Sequence, residues 1–125
     1  MSGLSSAGEN IVLDALLTAR FVSLHTLLPS DAGAGEVVGG SYVRQSVAFS
    51  KTGNNPTIAA NSGVVQFPVA TADWGTVTHF GIWSASSAGS FLGGWPVDTA
   101  KRVDIDDVAR WDVGKLRIGT DEVIP

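Results

Sequence analysis

The chain has 125 residues, no cysteine and a formal net charge of −4, with only 16% charged residues against 44% hydrophobic ones. A length near the commonest domain size implies one core that folds without staples, and the missing thiols exclude disulfides and thiolate metal sites, in keeping with assembly in a reducing cytoplasm. Charge below the usual ~25% implies a surface that is unusually neutral or partly covered, and an acidic balance with scattered basic residues argues against nucleic acid as a partner.

Ser6 followed by Glu9 has capping-box spacing, in which each side chain satisfies a free backbone N–H of the first turn, and it predicts a helix over about residues 6–18. Ile11, Ala15 and Thr18 fall on one stripe, which Val12, Leu13, Leu16 and Leu17 widen, with Asp14 on the wet side. Whether such a helix packs on its own sheet or on a neighbour is open at this level. From Phe21 the period changes to two, with Val22 and Leu24 on one face and Ser23 and His25 on the other. Residues 29–40, with four glycines, one proline and no periodicity, read as a flexible loop of the kind that serves as a contact arm.

Residues 42–50 predict the next strand, placing Tyr42, Arg44, Ser46 and Ala48 opposite Val43, Gln45, Val47 and Phe49. Gly53-Asn54-Asn55-Pro56 is a turn by composition, and short strands at 57–60 and 64–67 flank Asn61-Ser62-Gly63, residues suited to a tight hairpin. The clearest strand covers 77–84, where Phe80 and Ile82 oppose His79 and Trp83, and Gly81 marks a bulge or a close backbone approach. Strands at 91–97, 102–105 and 115–118 follow, then an exposed tail over about 119–125. Eight or so short strands with Gly-rich turns predict an all-β fold over 1–125 as one domain, a jelly roll or related antiparallel β-sandwich with one N-terminal α-helix.

Several blocks carry a family resemblance. Residues 10–17 and 22–26, then Glu36-Val37-Val38-Gly39-Gly40-Ser41-Tyr42-Val43-Arg44-Gln45, and finally the run from Ala70 through Asp73-Trp74-Gly75 to Phe80-Gly81-Ile82-Trp83, resemble a family of small tailed-bacteriophage virion structural proteins. The resemblance spans residues 4 to about 97 and thins beyond Pro96, where residues 108–111 read as particular to this chain. It implies a virion component, either a capsid decoration protein or a tail-fibre-associated one, and no catalytic residues.

His25, His79, Asp73 and neighbouring serines contain the residue types of a hydrolase triad but lack a nucleophile elbow, so no catalytic residue is assigned. Asp104, Asp106, Asp107 and Asp112 are acidic without EF-hand spacing and read as a solvated turn, so no metal site is assigned. Gly33-Ala34-Gly35 lacks dinucleotide-loop spacing, so no cofactor is expected. Four tryptophans suit cores and interfaces alike, and two are expected to be buried. Trp83, His79, Tyr42, Arg44, Trp95 and Trp111 are the candidate interface residues. Arg44 and Tyr42 suit a planar contact to a carboxylate, either a partner's or one of the chain's own.

No apolar run reaches the ~20 residues of a membrane span, and the N-terminus lacks the basic start of a leader, so a soluble, non-secreted protein without a membrane partner is expected. The expectation is a non-enzymatic virion protein assembled in the host bacterial cytoplasm. Lacking heptads and repeats, it is read first as a capsid decoration (cement) protein, a homo-oligomer binding the major capsid protein and its own copies. The alternative is a tail-fibre module that binds a receptor or carbohydrate through exposed Trp and Tyr.

Overall fold

In the computed structural model, residues 5–18, 20–52 and 58–119 are described. A helix α1 (Ser6–Leu16) begins where the Ser5 hydroxyl accepts a bond from the Gly8 N–H at 3.1 Å. Ser5, one residue earlier than expected, is therefore the N-cap, and the side chains of Ser6 and Glu9 lie outside the described set. The helix ends two residues early because Arg20 turns back to donate to the carbonyls of Leu16 (2.6 Å) and Ala15 (3.1 Å), satisfying acceptors that the last turn leaves open. Only the residues that widen the expected stripe turn inward. Ile11 is 70% exposed and Ala15 and Thr18 face outward, whereas Leu13 is buried in the core with Leu16 and Leu17 packed beside it. The helix thus packs on its own chain.

Nine strands follow among the described residues: β1 (Arg20–His25), β2 (Gln45–Val47), β3 (Phe49–Thr52), β4 (Ile58–Asn61), β5 (Val65–Gln66), β6 (Gly75–Trp83), β7 (Phe91–Val103), β8 (Arg110–Trp111) and β9 (Arg117–Gly119). They form antiparallel sheets in the orders β2-β1-β6-β7, β3-β4-β9 and β5-β8, which is an all-β sandwich. This strand order does not establish the jelly roll in particular. One apolar cluster runs from Leu13 and Val22 through Phe67, Phe80 and Ile82 to Leu116 and Ile118, joining the sheets and the helix.

The sequence signals and the strands part company at identifiable residues. The expected strand at 42–50 begins only at Gln45 and breaks at Ala48, where the chain leaves one sheet for another. The expected hairpin around residues 61–63 is absent: β4 pairs with β3 and β9, and β5 pairs with β8. Asn61 is the cause. Its side chain donates to the Gly63 and Asp112 carbonyls and accepts from the Leu116 N–H, so a residue suited to a turn instead pins three segments together from a buried position.

Residues 102–105 form no strand of their own, because β7 runs on through Val103. The two-residue β8 was missed among its acidic neighbours, where Asp104 and Asp107 close a turn by mutual bonds to each other's backbone. The turn at 53–56, and the tail after Gly119, lie outside the described residues.

Candidate functional site

In β1 the alternation expected to leave one face polar and half-buried is buried on both sides, with Val22, Ser23, Leu24 and His25 all fully enclosed. The strand is interior because β6 pairs along one edge while β2, and then the loop at 35–37, take the other. Ser23 and His25, two apart, share a face, so their side chains meet with 2.6 Å between Oγ and Nε2. Opposite Ser23 stands Gly81. A Cβ there would lie 2.6 Å from Ser23 Oγ and 2.8 Å from His25 Nε2, so the close approach expected at this glycine is real.

The donors in this contact are fixed by elimination. The Ala34 carbonyl, 2.8 Å from His25 Nδ1, can only accept, so Nδ1 carries the proton and Nε2 accepts from the Ser23 hydroxyl. Ser23 Oγ in turn accepts from Trp83 Nε1–H at 2.9 Å. The result is a directed relay from Trp83 through Ser23 and His25 to Ala34. Burial holds the His25 pKa below its ordinary 6.5, overriding the opposing pull of the Ala34 bond and Glu36, so the ring is neutral near pH 7.

A second cluster lies over the same indole. Arg44 places its guanidinium carbon 3.6 Å from the centroid of the Trp83 ring and grips Glu36 with two bonds, Nε to Oε2 at 2.8 Å and Nη2 to Oε1 at 3.0 Å. Its Nη1 donates to the Ala85 and Ala88 carbonyls, tying down the turn between β6 and β7. The Tyr42 hydroxyl donates to Glu36 Oε2 and accepts from the Leu24 N–H. Burial raises the Glu36 carboxyl, but the Arg44 and Tyr42 bonds outweigh it and hold the pKa below its ordinary value. The Tyr42 phenol is pushed far above its usual range by burial and the Glu36 charge. Of the two carboxylates open to Arg44 and Tyr42, the structure supplies the chain's own.

All four tryptophans are buried, not two. Trp83 is enclosed by Arg44, Ser23 and Phe91. Trp95 stacks on Phe80, and its Nε1 has no hydrogen-bond partner among the described residues. Trp111 meets Phe67 edge-on beneath Lys101, and Trp74 donates to the Gly40 carbonyl. His79 bonds the Thr78 hydroxyl and sits opposite His25 in the register, while Asp73 is engaged by the Ile105 N–H, so the triad residue types are not assembled. Glu36 and Ser23 were not singled out from the sequence. The signal for Glu36 was there, an acid preceding Tyr42 and Arg44 across a glycine pair, but only the turn at Gly39-Gly40-Ser41 brings it round to them.

That turn is rigid. Gly39, Gly40 and Ser41 all have positive φ, and the Gly40 carbonyl accepts from Thr71 N–H, Trp74 Nε1–H and the Ser41 hydroxyl. A side chain at Gly40 would strike Ala72 and the Trp74 ring. Glu36, Tyr42 and Arg44 are spent inward, and Val38 (89% exposed) and Val43 (54% exposed) are left outside. They border an open groove of 330 Å³ between residues 36–39, 42–44 and 86–88.

Residues 3–119 match the family model described as Podophage GP4 fiber I protein gp80. The chain belongs to that family. No curated protein matches it. Membership in the gp80 fibre family makes the chain a phage virion structural protein, in agreement with the resemblance. The match also covers residues 108–111, which the sequence reading had set apart from the family. The gp80 family member therefore presents a buried polar network that fastens loops, with an open groove and two exposed valines beside it.

Proposed function

We propose that this chain is a compact attachment module of a podophage fibre, working through protein–protein contacts and without catalysis. The observation that carries this reading is the match to a fibre-protein family over residues 3–119. The capsid decoration reading rests on the compactness of the chain and its lack of heptads. A fibre also needs compact joints where its elongated parts meet the particle, so compactness fits either place, and the family description supports the fibre reading.

The partners we propose are further copies of the chain and a neighbouring virion protein, with nucleic acid disfavoured by the net charge of −4. Val38, Val43 and the adjoining groove are the surface offered for contact, because they are exposed beside residues already ordered by hydrogen bonds, which limits the entropy lost on docking. An interface of ~1,600 Å² would suffice for a stable contact. Ser23 and His25 resemble a nucleophile and its base in distance, yet both are fully buried and the third group is a carbonyl, which supports a structural role. Sugar platforms on exposed tryptophan find no support in four buried indoles.

The test is cryo-electron microscopy of intact virions carrying an epitope-tagged copy. Label on the fibres is expected, and label distributed over the capsid shell would return the decoration reading.

A further inference from the structure

The loop at 26–44 folds back on the end of β1: Val37 N–H donates to the Leu24 carbonyl at 2.9 Å, a bridge pairs His25 with Glu36, and within the loop Thr26 N–H donates to the Gly35 carbonyl at 3.1 Å. Between those bonds the His25 ring spans the gap from sheet to loop. Its Nδ1–H holds Ala34 on the loop, and its Nε2 receives the Ser23 hydroxyl on the strand. A neutral imidazole is one donor and one acceptor, and both are used.

We propose that neutral His25 is a latch that fastens residues 34–37 to the four-stranded sheet, and that taking up one proton unfastens them. A proton on Nε2 turns the acceptor into a donor aimed at the Ser23 hydroxyl, which must then turn its own hydrogen elsewhere while still receiving Trp83 Nε1–H. The new charge lies in a fully buried position.

The charged and titratable groups facing it are Glu36 on the loop, Arg44 beyond it, and His79 across the register on β6. The Arg44 guanidinium opposes a second cation and His79 adds to the opposition, while Glu36 favours it. Glu36 is already committed to Arg44 and Tyr42. Phe91 of β7, 5.9 Å from the imidazole, supplies no charge. The cost is relieved by opening the loop to water, so the loop's attachment weakens as the ring charges. Glu36 and Val37 line part of the groove, so opening reshapes that wall.

The experiment is NMR on the full chain between pH 7.5 and 5.0. Near neutrality the ¹⁵N shifts of His25 should show the Nδ1–H tautomer. Amide exchange at Thr26 and Val37, corrected for its intrinsic pH dependence, should lose protection by about tenfold per pH unit below the ordinary histidine range, the limit for one proton. The same loss should persist in a His79→Gln variant, which separates the two imidazoles. Unchanged protection at Thr26 and Val37 while His25 titrates would overturn the latch. So would a response that disappears with His79→Gln, or a His25 ring that stays neutral until the whole chain unfolds.

Discussion

Gly81 and Glu36 show how single side chains, or the lack of one, organise the centre of this protein. The space above Gly81 holds the Ser23–His25 contact, and a methyl group there would meet Ser23, Phe91 and His25 at 2.6 to 2.8 Å. Gly81→Ala is therefore expected to destabilise the fold by about 1–3 kcal/mol, the usual range for overpacking, read as a lower urea midpoint at unchanged slope. Glu36 is the hub of the second cluster, receiving Arg44 twice and Tyr42 once with only 18% of its side chain exposed. Glu36→Ala leaves the arginine uncompensated and should cost about 3 kcal/mol. Arg44→Lys should also destabilise, since an ammonium cannot reproduce the fork on the carboxylate or the planar stack on Trp83.

At the scale of elements, helix α1 separates pattern from placement. Its existence was legible in the sequence, because the Ser6–Glu9 spacing and the apolar run from Ile11 to Leu17 make a helical start and an apolar segment. Which side turned inward was not. Ile11, Ala15 and Thr18 form as regular a stripe as Leu13, Leu16 and Leu17, and only the position of the sandwich decides between them. Leu13→Ala should cost about 2–5 kcal/mol in chemical denaturation, whereas Ile11→Ala should stay within ~0.5 kcal/mol. Equal effects would mean that the helix packs elsewhere than on its own core. The strand signals tell the same story. β6 was readable from its dense β-forming run, but β5 and β8, two residues each, draw their pairing from a partner more than forty positions away. Local composition carries no trace of such a partner.

Across the whole molecule the titrating groups predict how stability follows pH. The folded-state pKa values of His25 and His79 lie below 6.5, so the unfolded chain takes up these protons first, and stability should decline as pH falls below that value. Glu36 has a folded-state pKa below 4.5, so its contribution is present above that value and is lost as pH falls through the lower, folded one. Urea midpoints measured at pH 7.5, 5.5 and 4.0 should fall in that order, and His25→Gln should flatten the first interval. A midpoint that rises toward pH 5.5 would contradict the assignment of His25 as a buried neutral ring.

The sequence alone determined the all-β class, the helix at the N-terminus and kinship with phage virion proteins, because each is written in residues near one another along the chain. The tertiary structure decided what Arg44 grips, which way the helix faces, why Asn61 makes no hairpin and how His25 is tied to Trp83. Those outcomes depend on groups far apart in sequence competing for one another's hydrogen bonds once water has been squeezed out, and that competition has no local signature.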